Sequence, residues 1–376
     1  MQIPGYVDGL FLFREAKLLA RHGHEFVVVA CQRRGLPRFE VVGGIPVYRV
    51  PSFMVPRISY QIPNIFQLLS TIVNVTRKHH VDLLDFWGQI YLTSLPILVK
   101  DIVRLPMSVS IAGLPGVNWF YGSRIIDLVG LLHSFSLTIL ILTQANAIRS
   151  EYSSLTDFLT RFGAGGKTNT IGRAVDTTMF RQDAKKRMEK RKELSVDENE
   201  VVILFVGRLE VVKGIKYLIQ AATELLREYK YLRFIFVGDG FLREEYEGKV
   251  ADGQKVMFLG QRSDVNELMN ASDIFVLPSL SEGCSAAILE ASASSLPVVA
   301  TRVGGSPEMV LDGRTGICVE PKNVIELTTA LRRLIDSPSL RREMGRKGRE
   351  FVERSFGSMM MTDQVEEYYL SLLRAR

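Results

Sequence analysis

Glu282 and Glu290 stand with seven residues between them in SEGCSAAILEASASSLPVVAT, and the stretch they bracket has the make-up of a phosphate-binding turn. DIFVLPS (Asp273 to Ser279) reads as a short apolar strand, Gly283 breaks the chain, and Ala286 to Ala293 reads as a helix. A helix starting here offers unpaired backbone N–H groups at about Gly283 to Ala286, with partial positive charge suited to a phosphate. Glu282, ahead of the helix, can reach a group attached to that phosphate. Glu290, two turns along, can accept hydrogen bonds from hydroxyls such as those of a ribose. A sugar nucleotide fits the pattern. The plain alternatives are a dipole-favoured neighbour of the N-cap for Glu282 and an exposed helix residue for Glu290.

A second group of candidates lies in FVGRLEVVKG (Phe205 to Gly214), where Gly207 directly follows an apolar strand, then comes Arg208, then Lys213 as the next helix opens. Two cations at a strand end suit a diphosphate: the arginine fork can bind two oxygens and the lysine adds a compact charge. FVGDG (Phe236 to Gly240) ends a further strand, and its glycines, Gly238 and Gly240, permit close approach of backbone to a ligand. GDGFLRE is a poor dinucleotide fingerprint, because Arg243 stands where the third glycine belongs and the turn follows the second strand of its domain. A nicotinamide-dependent oxidoreductase is disfavoured on that ground.

The elements that must position these residues alternate. Strands are expected at Val201 to Val206, Arg233 to Val237, Val256 to Leu259, Ile274 to Leu277 and Val298 to Thr301. Between and after them come helices at Ile215 to Tyr229, Glu244 to Lys249, Asp264 to Asn270, Ala286 to Ser294 and Ser306 to Leu311. That rhythm means a parallel, doubly wound sheet with ligands at the strand carboxyl ends. The first half is less regular, with helices at Leu12 to Arg21 and Ile65 to Lys78. Its strands are expected at Glu25 to Cys31, Val47 to Val50, Leu83 to Asp85 and Met107 to Ile111. Gln182 to Glu200 is a charged run that reads as a solvated helix or linker, and Ser339 to Arg376 as two helices.

Composition bounds the class. The 376 residues, 47% hydrophobic and 23% charged, suffice for two globular domains. The net charge of +6, from 47 basic and 41 acidic residues, is weak evidence for nucleic acid and better evidence for anionic substrates or an anionic membrane surface, with ordinary solvated charge the plainer reading; no nucleic acid is expected. Three dispersed cysteines, Cys31, Cys284 and Cys318, suit a reducing cytoplasm and neither a disulfide framework nor a zinc site. No convincing carboxylate or histidine metal cluster is apparent. MQIPGYVDGLFLFREA lacks the basic start of a secretory leader, and Ile125 to Thr143, interrupted by Asp127 and His133, reads as a buried helix followed by a strand at Leu137 to Leu142 rather than a membrane span.

From about Val201 to Phe356 the chain resembles the donor-binding domain of the retaining GT-B glycosyltransferases of family 4. GRLEVVKG, VGDG, VMFLGQRSDV, DIFVLPSLSEGCSAAILEASASSLPVVAT and VGGSPEMVLDGRTGICV carry the resemblance. The first half is similar to the family's acceptor domain more loosely, through FREAKLLARHGHEFVVVA and IGRAVDTTMF. The resemblance implies an α/β GT-B fold, two Rossmann-like doubly wound domains facing a cleft. Residues 1–175 would bind acceptor and 176–357 the nucleotide sugar, with the C-terminal helix 358–376 packing back on the first domain. It implies transfer of a hexosyl group from a nucleotide-diphosphate sugar to an acceptor hydroxyl with retention, with no metal and no cofactor, which agrees with the absence of a convincing metal cluster. Arg208 and Lys213 would hold the diphosphate and Glu290 the ribose. The backbone of Gly283, Cys284 and Ser285 would hold the distal phosphate and sugar, and Glu282 sugar hydroxyls on the developing oxocarbenium ion. Gly207 and Gly238 would line the donor site, and the backbone around Gly260 would flank the base.

The chain departs from the family at two places. It opens at MQIPGYVDG where the family has an apolar strand and a glycine pair, so the N-terminal domain is expected to lack its first strand, through a late start codon or a truncated gene, at a cost on the order of several kcal/mol in burial. Gly5 and Gly9 are the nearest acceptor-side candidates for the glycine pair. In SVSIAGLPG, Ala112 precedes Gly113, where the family commonly has histidine. These departures keep a catalytically impaired nucleotide-sugar-binding protein as the alternative. A sugar or lipid-linked sugar is expected as acceptor, and Arg57, Arg77 and Lys78 among apolar neighbours would let the first half rest on the inner face of an anionic membrane, although core packing is the more frequent reason for an apolar face such as that of Ile65 to Lys78.

Overall fold

The computed structural model describes residues 7–32, 35–55, 60–87, 99, 102–113, 128, 145–249 and 255–375. Two compact units divide the chain: Met1–Glu151, Leu155–Ile171 and Thr362–Arg376 form the first, and Tyr152–Ser154 with Gly172–Met361 the second.

In the first unit, apolar residues at helical spacing form α1 (Val7–Arg21), which buries Ala16 and Leu19. Strand β1 (Val28–Cys31) runs parallel to β3 (Ile45–Val50), which pairs antiparallel with β2 (Phe39–Val42). A hairpin of β4 (Ser52–Val55) and β5 (Tyr60–Pro63) leads to α2 (Ile65–Lys78), where the Asn64 side chain caps the helix by accepting from the Gln67 N–H. Strands β6 (Leu84–Trp87), β7 (Met107–Ile111), β8 (Ala147–Ser150) and β9 (Thr168–Thr170) form a parallel sheet in that order, with α3 (Ser153–Arg161) preceding β9. Every residue of β7 and β8 is buried, as expected of strands covered on both faces. Among the described residues β1 pairs with β3 and β6 with β7 alone, so each is a sheet edge.

The polar content of β8 is resolved by a buried network. Arg149 donates from its two terminal nitrogens to both carboxylate oxygens of Glu15 at 2.9 Å, and from Nε to the Ile171 carbonyl at 3.2 Å. Its guanidinium carbon lies 4.6 Å from the centre of the Trp87 ring. Burial opposes the charge on Arg149, but the Glu15 carboxylate outweighs it and holds the guanidinium above its ordinary range.

The second unit begins with α4 (Ala184–Glu193). It continues β10 (Val201–Val206), α5 (Ile215–Glu228), β11 (Leu232–Val237), α6 (Arg243–Lys249), β12 (Val256–Phe258) and α7 (Val265–Ala271). Then follow β13 (Ile274–Leu277), α8 (Ala286–Ala293), β14 (Val298–Thr301), α9 (Ser306–Met309), β15 (Gly316–Val319), α10 (Val324–Asp336) and α11 (Pro338–Phe356). The last helix, α12 (Ser358–Arg374), lies with the first unit from Thr362 onward, where Tyr369 donates to Asp85 at 2.5 Å and Tyr368 meets the Ser108 hydroxyl at 2.9 Å. The six strands are all parallel in the order β12-β11-β10-β13-β14-β15. Strand order reverses between β10 and β13, which opens a crevice at their carboxyl ends.

The strands at Val201–Val206, Ile274–Leu277, Val298–Thr301 and Met107–Ile111 and the helix Ile65–Lys78 have the bounds read from the sequence. Helix α1 starts five residues earlier than expected, at Val7, and β1 three later, at Val28. The charged run Gln182 to Glu200 needs correction, because it is not simply solvated. Lys190 and Arg191 on α4 are 8% and 4% exposed. Arg191 donates to the carbonyls of Ala271, Asp197 and Glu200, and Lys190 to the Asp264 carboxylate at 2.6 Å. Hydrogen bonds from Arg262, then from Lys190, outweigh burial and hold the Asp264 carboxyl well below the usual range. The expected strand at Leu137 to Leu142, most of Ile125 to Thr143, Gly5 and Arg57 lie outside the described residues.

Candidate active site

The turns after β10, β11, β13 and β14 converge at one end of the second sheet, locked by backbone contacts that leave no room for side chains. Gly214, which ends the 3-10 turn Val211–Lys213, has φ 65°, and a Cβ there would sit 1.9 Å from the Pro278 carbonyl oxygen. The Leu280 N–H donates to the Val212 carbonyl at 2.7 Å, so the turn after β10 lies on the turn after β13. On the other side, the Gly207 N–H donates to Val237 at 2.9 Å and the Gly238 N–H to the Gly260 carbonyl at 2.8 Å. The Gly305 N–H reaches the Gly283 carbonyl at 3.2 Å, and Thr301 donates its hydroxyl to the Ser279 carbonyl at 2.5 Å.

This register brings Lys213 and Glu282 together. Lys213 Nζ donates to Glu282 Oε1 at 2.5 Å, and the Ser279 hydroxyl donates to the same oxygen at 2.6 Å. The Glu282 side chain is 7% exposed and that of Lys213 18%. Arg208 is placed differently. Its side chain is 54% exposed and its Nη1 is held by both Glu210 oxygens, at 2.9 and 2.8 Å. The two cations expected to act as one clamp thus stand at one strand end, each matched to its own carboxylate. Glu210 and Ser279 were not singled out from the sequence; the available signals were an acid two residues after Arg208 and a hydroxyl at the end of an otherwise apolar strand.

Helix α8 begins beside this pair. Ser285 is its N-cap and makes no side-chain capping bond, which leaves the first-turn N–H groups available to an external anion. Glu290 is half-buried on the second turn of α8. Cys284 turns its side chain into the core, where it is 4% exposed, with Sγ accepting from the Arg173 N–H at 3.5 Å and lying 3.6 Å from Met309 Sδ. Its backbone, not its thiol, faces the turn. Gly260 closes the β12 end with φ 65°.

The acceptor-side candidates separate. Gly9 falls inside α1, where a helical backbone replaces the loop expected of it, and Gly113 lies just beyond the carboxyl end of β7, after Ala112.

Gly304 gives a direct test of how tightly the site is built. Its φ is 52°, and a Cβ would fall 1.7 Å from the Glu282 carbonyl oxygen, so alanine there must displace the backbone that carries Glu282. Gly304→Ala is expected to cut any turnover that the Lys213–Glu282 site supports roughly 10²-fold, the scale of an ångström-level misplacement in an active site. Steady-state kinetics beside a melting curve check this, and an unchanged rate in the folded variant would refute it.

Residues 200–337 match the family model described as glycosyl transferases group 1. N-acetyl-alpha-D-glucosaminyl L-malate synthase of Bacillus anthracis is 31% identical over 189 residues, covering 49% of this chain and 49% of that protein. The chain thus spans about half the length of such curated relatives. Sucrose-phosphate synthase from Thermosynechococcus elongatus shares the fold with a TM-score of 0.83 at 22% identity, over 99% of this chain and 95% of that one. Anabaena HepE in complex with UDP-glucose has a TM-score of 0.74 at 19% identity, over 92% and 100%. Residues 200–337 thus form a domain similar to the glycosyl transferases group 1 family, and the chain has the GT-B fold.

Proposed function

We propose that this protein is a retaining hexosyltransferase that moves a sugar from a nucleotide-diphosphate donor to an acceptor hydroxyl without a catalytic metal. The observation that carries the reading is the Lys213–Glu282 pair at the crevice between β10 and β13, beside the start of α8. In the reaction the bond between the anomeric carbon and the donor diphosphate breaks, and its electron pair stays on the diphosphate. The acceptor oxygen forms the new bond to that carbon, and its proton passes to the released diphosphate or to water. Lys213, Arg208 and the N–H groups of α8 stabilise the charge that accumulates on the leaving group, where fixed donors act most strongly. Glu282 binds sugar hydroxyls near the carbon that becomes electron-poor, Glu290 binds the ribose, and the backbone at Gly260 flanks the base.

The acceptor half has a bilayer-facing candidate in α2, which begins with Ile65 and Phe66 exposed, the latter 84%, and ends with Arg77 and Lys78 exposed. We assign the chain to the cytoplasm with peripheral contact at the inner membrane face and a sugar or lipid-linked sugar as acceptor. Among the described residues, no helix is long and apolar enough to cross a membrane.

The test is turnover of UDP-, GDP- and ADP-sugars by the purified chain, read by mass spectrometry, with Glu282→Ala as control. One donor consumed by the protein and spared by the variant is the expected result. A donor bound but never consumed would replace this reading with that of an impaired nucleotide-sugar-binding protein, for which Ala112 beside Gly113 is the leading cause.

A further inference from the structure

The sequence shows no cluster at metal-ligand spacing, yet the fold of the first unit assembles one from residues more than three hundred positions apart. His22 and His24 flank Gly23 in the turn between α1 and β1, and Asp363 and Glu366 share one face of α12 at i, i+3 spacing. His22 Nδ1 lies 2.6 Å from Glu366 Oε2, and His24 Nε2 lies 2.7 Å from Glu366 Oε1. Ligand atoms of His22, Asp363 and Glu366 all fall within 4.8 Å of one another.

We propose that His22, His24, Asp363 and Glu366 form a binding site for a divalent transition-metal ion of the zinc class, which clips α12 to the turn after α1. His22, Asp363 and Glu366 bring one imidazole nitrogen and two carboxylates together, and His24, on the other Glu366 oxygen, stands beside them as a further nitrogen donor, a borderline-soft set of the kind zinc takes. Ligand atoms on such an ion stand roughly 3.3 Å apart, given metal–ligand bonds near 2 Å. The imidazole–carboxylate pairs therefore need to open by under an ångström, and the widest spacing among His22, Asp363 and Glu366 to close by at most about 1.5 Å, within reach of side-chain rotation. The histidine side chains are 35% and 36% exposed and that of Glu366 24%, so an ion can enter from solvent.

The site is built wholly from the first unit and is independent of the donor site, so it stands or falls separately from the transferase reading. The test is calorimetric titration of the chelator-treated full chain with Zn2+, repeated with Co2+ read by visible absorption and with melting curves. One equivalent should bind and raise Tm. Affinity should drop roughly tenfold or more in His22→Ala and in Asp363→Asn, since even outer partners of metal ligands are worth 10–100-fold. Asp363→Asn leaves both imidazole–Glu366 bonds in place, so a loss of binding there cannot be a folding defect. Failure to bind an equivalent, or binding undiminished in both variants, overturns the proposal.

Discussion

For the proposed sugar transfer, Lys213→Ala is expected to lower kcat/KM for the donor roughly 10³-fold, at the upper end of what removal of one preorganised donor to a developing anion costs. The ammonium is largely buried and fixed by Glu282 at 2.5 Å, so it needs little reorganisation to meet charge at the strand end. It should act mainly on kcat, because charge on the departing diphosphate is greater in the transition state than in the bound donor. Arg208→Ala provides the contrast. Its guanidinium is 54% exposed and shared with Glu210, and solvent screens it, so a loss of about tenfold is expected. A Lys213→Ala enzyme within tenfold of the parent, or an Arg208→Ala enzyme the more damaged of the two, would remove Lys213 from its assigned role.

The second large effect concerns stability. Arg149→Met is expected to cost the first unit about 3–5 kcal/mol, because it leaves the Glu15 carboxylate, 8% exposed at its side chain, without the guanidinium that binds both its oxygens. The loss of cover over Trp87 adds to this. Pairing Arg149→Met with Glu15→Met should recover most of the loss, since no charge then remains buried without a partner. Urea unfolding of the parent, both single variants and the double variant measures the coupling. Additive costs would show that the ion pair itself contributes little. The same cluster meets the C-terminal helix through Asp85, whose carboxylate takes hydrogen bonds from Trp87 and from Tyr369.

Much of the second unit was legible because local pattern and tertiary environment agree there. VVILFV and IFVL are apolar throughout and VVAT is so up to its final threonine, as suits parallel strands buried on both faces, and glycine or proline punctuates their ends. The first unit was harder to read. AIRS and TNT, which form β8 and β9, carry too little apolar signal to announce strands, and the buried charge in β8, Arg149, is neutralised by Glu15 from α1. Likewise AKKRMEKRKE looks solvated until Asp264, Asp273 and three backbone carbonyls are brought to Lys190 and Arg191.

The sequence by itself determined the alternation of strands and helices, the glycine-marked strand ends and the set of cations and carboxylates placed there, since each depends on residues adjacent in the chain. Only the tertiary structure decided the pairings: Lys213 with Glu282 and Arg208 with Glu210, Cys284 facing the core, and His22 and His24 with Glu366. The reason is physical. Propensity and periodicity act over a few residues, whereas an ion pair depends on strand order, and strand order is settled by how whole βα units pack against one another.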